Sequence, residues 1–197
     1  MFLFVFSLPR MAVHGTKLRY APQRGVSCTP ASIFYANAVL SRSTPAVCSD
    51  RAMDAIMAYA WAVYVQIRKS VFARFLQQHE VLEFVKMPKD ISFREMYAGW
   101  NREFVDDVKG CIHFQDLLKL ISPNTALVMT AGDHTTALVE ECGTAFFFDP
   151  LVAEVSVVHS IEDLLCRLKA SHANMDVMTL SVLTYGAADD AMPQSCG

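Results

Sequence analysis

The sequence lacks any apolar run of the roughly 18–20 residues that a membrane-spanning helix needs. Its longest apolar stretches are interrupted by charged residues or proline, so we expect a protein that does not cross a membrane. It also lacks an excess of charge of one sign, because the formal net charge is −3. Without a strongly basic balance, there is no electrostatic reason to expect a nucleic acid as partner.

Paired metal-binding motifs are absent as well. The cysteines form no Cys-x-x-Cys unit and no paired His/Cys spacing, so we predict no metal site and no cofactor. The apolar start of the chain lacks the basic segment of a secretory signal. We therefore interpret the thiols as reduced and mostly as small core residues, one of which could be made reactive by its surroundings. The cysteines stand at positions 28, 48, 111, 142, 166 and 196.

The length and composition suit one folded domain. A chain of 197 residues can bury a sizeable core, and 53% hydrophobic against 19% charged residues argues against disorder. Residues 1–11 are interpreted as an N-terminal extension, and the small, polar residues 186–197 are expected to be a disordered tail. The predicted domain covers residues 12–185.

Hydrophobic periodicity predicts helices mainly in the first half of the chain and strands in the second. Helices are predicted at 27–40, from Arg51 to about Gln78 with Asp50 as N-cap, at 112–121 and from 160 or 161 to 170, with a weaker helical or irregular segment at 93–104. Strands are predicted at 80–85, 125–130, 135–141, 144–149, 152–158 and 177–183. The runs 135–141 and 144–149, joined through Gly143, carry a strong hairpin signal. Helices followed by an antiparallel sheet indicate an α+β fold.

One set of residues could support nucleophilic catalysis. Cys28 begins a predicted helix, whose N-terminus carries a partial positive charge that favours a thiolate. His134 opens the first strand of the predicted hairpin and Asp149 closes the second, which brings the carboxylate back to the level of the imidazole. The order Cys, His, Asp is that of papain-type proteases. Gln23, upstream of the cysteine, could donate its amide to an oxyanion, as could the backbone N–H of Cys28.

Each of these residues also has an ordinary interpretation. A cysteine before a helix is often a core residue, a histidine at the start of a strand is usually a surface or capping residue, and the Asp149-Pro150 pair is often only a turn. The spacing by itself therefore leaves both a catalytic and a purely structural interpretation open.

Three segments of the sequence carry a resemblance to a known family: Lys17 to Cys28, Met53 to Met57 and Phe147 to Pro150. Together they resemble the deubiquitinase/deneddylase domain of herpesvirus large tegument proteins. The first segment resembles the stretch that leads to the family's nucleophile. Met53-Asp-Ala-Ile-Met57 resembles an Asp-x-Ile-Met stretch of the betaherpesvirus members, and Phe147-Phe-Asp-Pro150 resembles the family's Phe-Asp-Pro-His. The likeness covers residues 12–185, and the order and spacing of the motifs are more specific than any one of them.

The resemblance implies a papain-like cysteine protease fold, with Cys28 as nucleophile and Asp149 as the triad carboxylate. It also implies ubiquitin or a ubiquitin-like protein as partner, with other tegument proteins as further partners. The implied location is the virion tegument and the host cytoplasm or nucleus. The sequence departs from the family pattern in two places: Leu151 stands where the family has its catalytic histidine, and His14 stands where it has an oxyanion glutamine.

These departures leave three hypotheses. In the first, His134 takes the role of the base, Asp149 orients it, and the chain is an active deubiquitinating protease. In the second, the fold is kept without turnover and serves as a ubiquitin-binding or tegument interaction module, for which the apolar helix 55–65, with Trp61 and Tyr64, is a candidate contact surface. The third is a non-viral papain-like peptidase or acyltransferase with the same residue order.

Overall fold

A computed structural model describes residues 26–70, 75–85, 90–100, 124–151, 154–171 and 177–186. Within these ranges the chain forms four helices and six strands, an α+β arrangement as predicted. The helices are α1 (Cys28–Leu40), α2 (Asp50–Ile67), α3 (Gln78–Phe84) and α4 (Ile161–Ser171). The strands are β1 (Ile91–Trp100), β2 (Thr125–Ala131), β3 (His134–Glu141), β4 (Thr144–Asp149), β5 (Glu154–Val158) and β6 (Val177–Tyr185).

The strands form one antiparallel sheet in the order β1-β6-β2-β3-β4-β5. The chain runs through β2, β3, β4 and β5 as a meander and then returns through α4, so that β6 fits between β1 and β2. The predicted hairpin of β3 and β4 is present, with Glu141 opposite Thr144 across a two-residue turn. Strand β3 is paired on both edges, by β2 and by β4, and all its residues except Glu141 are buried, so side chains on both of its faces are covered.

Helix α1 lies in the interior, packed on the sheet on one side and on α2 on the other. Its sequence contains hardly any charge, and nearly all its side chains are buried. The Tyr35 ring stacks on Phe148 of β4 with ring centroids 4.3 Å apart. This packing fixes α1 across the middle of the sheet, with Cys28 at one end of the helix.

The segment that follows α1 differs from the prediction of one long helix. Helix α2 ends at Ile67, where Lys69 and Ser70 turn back to bond to carbonyls of its last turn. Its N-cap is Ser49, whose hydroxyl accepts the N–H of Ala52, so the predicted cap at Asp50 was wrong by one residue.

The strand predicted at 80–85 was wrong, because these residues fall mainly in helix α3. Glu80 accepts the backbone N–H of Gln77 at 2.7 Å, which caps the first turn of that helix. A helical or irregular segment at 93–104 was also wrong for the described residues, since Ile91–Trp100 is strand β1. Its pairing with β6 shifts register between Glu95 and Tyr97, and this irregularity breaks the alternation that identifies a strand.

The aromatic side chains of α2 belong largely to the core. Tyr64 is buried and Trp61 is half-buried, and their rings stack with centroids 5.4 Å apart. Tyr59 is the more exposed aromatic of this helix, at 51%. The helix predicted at 112–121, the extension 1–11 and the tail 187–197 lie outside the described residues. No helix in the described ranges has both the length and the apolar character for a membrane span.

Candidate active site

Cys28 is the first residue of helix α1, as the sequence predicts. The backbone N–H groups of this first turn have no intrahelical partners, so the sulfur lies in the positive potential of the helix N-terminus. The residue is buried, with 3% of its surface exposed. The sulfur also lies 3.4 Å from the backbone carbonyl oxygen of Asp133, in the turn that precedes His134. The thiol is the donor in this contact, and the Asp133 carbonyl oxygen is the acceptor.

His134 is placed by the turn between β2 and β3. Gly132 has a φ of 61° at the first central position of this two-residue turn, which fits a type II′ hairpin turn. The turn pairs His134 with Ala131 at the end of the sheet nearest Cys28. The ring is 3% exposed and forms a hydrogen bond with the Cys28 side chain.

The carboxylate of Asp149 lies on the other side of the same ring. Nε2 of His134 is 2.9 Å from Oδ1 of Asp149, which closes strand β4 next to β3. Since Nε2 faces Asp149, the other ring nitrogen, Nδ1, is left for the thiol of Cys28. The structure thus brings the three predicted residues together in the order sulfur, imidazole, carboxylate.

Three donors hold the Asp149 carboxylate. Oδ1 accepts the backbone N–H of Leu151 at 2.8 Å in addition to the His134 ring. Oδ2 accepts the hydroxyl of Ser171 at 2.6 Å. With both oxygens engaged, the carboxylate has a fixed orientation toward the ring.

The electrostatics of the pair favour charge on both partners. Burial by itself would lower the pKa of His134, but the hydrogen bonds to Asp149 and Cys28 outweigh it and raise the pKa to about 9. Burial would raise the pKa of Asp149, but the hydrogen bonds from His134, Ser171 and Leu151 lower it below its usual value. At neutral pH the site therefore contains an imidazolium held by a carboxylate.

A chain of buried hydroxyl groups lies directly behind the site. Thr29 donates to the carbonyl of Leu76 at 2.6 Å, so its oxygen must accept from Thr135, 2.8 Å away. Thr135 must then accept from Thr130 at 2.9 Å, and Thr130 accepts the side-chain amide of Gln78 at 2.7 Å. The direction of every bond in this chain follows from the single hydrogen of each hydroxyl.

Two of the three threonines in this chain are the sequence neighbours of the catalytic candidates. Thr29 follows Cys28, and Thr135 follows His134. Ser32, one turn further along α1, also donates to the Thr135 carbonyl at 2.9 Å. These bonds fix the start of α1 against the start of β3, and so set the position of the thiol relative to the ring.

The predicted oxyanion residues Gln23 and His14 lie outside the described residues. Leu151 has 48% of its surface exposed, and its backbone rather than its side chain contacts Asp149. Within the described ranges, no group of His, Cys, Asp and Glu side chains is suited to hold a metal ion. The cysteines within those ranges, 28, 48, 142 and 166, are free thiols.

Three residues that support the site were not among the predicted site residues: Thr29, Thr135 and Ser171. Thr29 and Thr135 could have been noticed, because each directly follows a predicted catalytic residue. Ser171 gave no such signal, because it lies 22 residues after Asp149 at the end of a different element. Its contact depends on where α4 packs, which the local sequence does not specify.

Comparison with known proteins gives a structural likeness and no match in sequence. No family model matches the chain, and no curated protein matches it. A solved structure that it resembles is the ubiquitin-specific protease encoded by a murine cytomegalovirus tegument protein, in complex with a ubiquitin-based suicide substrate. The TM-score is 0.53 at 13% identity, over 88% of this chain and 84% of that chain. At this identity the likeness shows a shared fold.

Proposed function

We propose that this chain is a papain-like cysteine protease that hydrolyses bonds at the C-terminus of ubiquitin or a ubiquitin-like protein. The observation that carries the proposal is the His134 ring, which bonds to the Asp149 carboxylate on one side and to the Cys28 thiol on the other. A nucleophile, a base and a residue that orients the base are the three parts that covalent catalysis by cysteine requires.

The first half of the reaction forms a thioester. In the reactive form the proton of the Cys28 thiol already resides on Nδ1 of His134, so that a thiolate faces an imidazolium, and the thiolate attacks the carbonyl carbon of the terminal glycine in the modifier. The imidazolium then donates that proton to the departing amine, and the carbon–nitrogen bond breaks. Asp149 keeps its negative charge throughout and stabilises the protonated ring.

The second half restores the reactive pair of thiolate and imidazolium. His134 takes a proton from a water molecule, and the resulting hydroxide attacks the thioester carbon. The carbon–sulfur bond breaks, the modifier leaves as a carboxylic acid that loses its proton to water, and the Cys28 thiolate again faces the His134 imidazolium. In both halves the negative oxygen on the carbon needs donors, and we assign these to the backbone N–H of Cys28 and to Gln23 or His14.

Two features support ubiquitin or a relative as the substrate. The motifs around Cys28, Met53 and Asp149 resemble those of the tegument deubiquitinases, and the structural neighbour was solved with a ubiquitin-based substrate. The same resemblance favours a place in the virion tegument, with activity in the host cytoplasm or nucleus and contacts to other tegument proteins.

A second candidate function is ubiquitin binding without cleavage. Three observations favour it: Cys28 is only 3% exposed, its sulfur contacts the carbonyl of Asp133, and Leu151 replaces the histidine that the resembling family uses. A substrate carbonyl can reach the sulfur only if neighbouring groups move. A binding module would not need that movement.

A ubiquitin molecule with a C-terminal electrophile separates the two functions. An active protease forms a covalent adduct that is lost in Cys28→Ala and kept in Cys142→Ala, because Cys142 is exposed and distant from the site. Absence of an adduct at high protein concentration, together with ubiquitin binding by the parent and by Cys28→Ala in calorimetry, contradicts the protease proposal and supports binding alone.

A further inference from the structure

A hydroxyl group from outside the hairpin completes the hydrogen bonding of Asp149. Ser171 is the last residue of α4, and its Oγ lies 2.6 Å from Oδ2 of the carboxylate. The other oxygen, Oδ1, is occupied by the His134 ring and the Leu151 N–H. In the described part of the chain, Ser171 is the donor that the structure gives to Oδ2.

Helix α4 is anchored well enough to hold this hydroxyl in place. Leu164 and Leu168 are buried on its inner face, each with 1% of its surface exposed. Arg167 donates to the carbonyl of Val157 on β5 at 3.2 Å. The helix is therefore fixed to the edge of the sheet, and its last residue reaches across to the end of β4.

We propose that Ser171 is a positioning residue for catalysis, which holds Asp149 in the orientation that keeps the His134 ring aligned with Cys28. This inference rests on the proposed function. Ser171 touches neither the thiol nor a substrate carbonyl, so its action passes through the carboxylate. Without its hydroxyl, Oδ2 loses its donor in a side chain that is only 9% exposed. The carboxylate then turns toward water about its remaining bond to Leu151, and Oδ1 moves away from the ring.

The test compares Ser171→Ala with Ser171→Thr, which keeps the hydroxyl, and with Ser160→Ala as a matched control. Ser160 caps the opposite end of the same helix by accepting the N–H of Asp163, and it does not touch Asp149.

The primary readout is the pH at which the His134 ring is half protonated. NMR on protein with labelled histidines measures this midpoint. We expect S171A to lower this midpoint by about half a pH unit or more, because a loosened carboxylate stabilises the imidazolium less. The midpoints of S171T and S160A should match that of the parent.

Hydrolysis of a ubiquitin C-terminal fluorogenic substrate supplies the second readout. We expect S171A to lower kcat by about 3- to 10-fold with KM unchanged, since the missing interaction serves the transition state rather than binding.

An unchanged or higher His134 midpoint in S171A overturns the inference. An equal fall of the His134 midpoint in S160A overturns it as well. The midpoint decides the role of Ser171 even if no form hydrolyses ubiquitin, in which case only the proposed activity fails. If S171A does not fold, Ser171→Cys, with its weaker donor, is measured in its place against the same two outcomes.

Discussion

Nε2 of His134 lies 2.9 Å from Oδ1 of Asp149, although the two residues are 15 positions apart in the sequence. The distance follows from the hairpin, because β3 begins where β4 ends. The contact between His134 and Asp149 also matters for the interpretation of Leu151, which stands where the family that this sequence resembles has its catalytic histidine. An imidazole from the start of β3 occupies the space between thiol and carboxylate, so the arrangement does not depend on a histidine at position 151.

Replacement of the ring tests whether it carries protons during the reaction. His134→Gln keeps a hydrogen-bonding side chain of similar size, but its amide neither accepts nor releases a proton at neutral pH. We expect the hydrolysis rate to fall by about 10²–10⁴-fold, the usual contribution of a general acid–base residue. Circular dichroism should show that the fold is kept. His159→Gln, at an exposed histidine outside the site, is the control and should leave the rate unchanged. Equal rates for His134→Gln and the parent would mean that another group moves the proton.

The raised pKa of His134 predicts how stability changes with pH. A histidine whose pKa is about 9 in the folded state and about 6.5 when unfolded stabilises the fold fully below pH 6.5. This contribution is lost as the pH rises through 9, and it amounts to at most about 3 kcal/mol. Urea unfolding at pH 6 and pH 10 should therefore show a larger loss of stability in the parent than in His134→Gln. Parallel pH dependences in the two proteins would show that the ring gains no such stabilisation.

The hydroxyl chain behind the site should make Thr135 more important than its size suggests. Thr135→Val keeps the shape but removes the donor to Thr29 and the acceptor for Thr130, both buried. We expect a loss of about 1–3 kcal/mol in the free energy of unfolding, the cost of unsatisfied buried polar groups. Thr184→Val, at a half-buried threonine on β6, is the matched control and should change stability by less than half as much.

The same variant should slow adduct formation with the ubiquitin electrophile, because Thr29 and Thr135 fix the thiol relative to the ring. A Thr135→Val protein that keeps both the parent's free energy of unfolding and the parent's rate of adduct formation contradicts the role given to the hydroxyl chain.

The elements that the sequence predicts well are those whose signals are local. The hairpin of β3 and β4 combines alternating β-branched and aromatic residues with a Cys142-Gly143 turn, so the hairpin could be predicted, and with it the return of Asp149 to the level of His134. The strand register that joins the two side chains is known only from the structure. Cys28 at the start of α1 was equally clear, since Pro30 and an apolar run identify the helix start.

The remaining features depend on contacts between distant segments. Strand β1 was missed because the register shift near Tyr97 interrupts its alternation, and only pairing with β6 reveals it. The Asp149–Ser171 bond requires the docking of α4, and the hydroxyl chain through Thr135 requires α1, α3 and two strands to meet. Such contacts come from packing, and no pattern within a short window of sequence encodes them.

The turn between β3 and β4 allows the fold and the site to be tested separately. Cys142 has a φ of 52° and Gly143 a φ of 78°, which fits a type I′ hairpin turn with both central residues in the left-handed region. Asparagine tolerates this region better than cysteine, so Cys142→Asn should raise the free energy of unfolding by about 0.5–1 kcal/mol, part of the roughly 1–2 kcal/mol that a left-handed residue costs. Thermal unfolding measures this gain in stability. Cys142→Ser, which removes the thiol without favouring the turn, should not show the gain.

Because this turn lies at the opposite end of β3 from His134, neither variant should change the rate of ubiquitin adduct formation. An equal gain in the free energy of unfolding in both variants would mean that removal of the thiol, and not the turn conformation, causes the effect. A changed rate of adduct formation would show that the two ends of the hairpin are coupled.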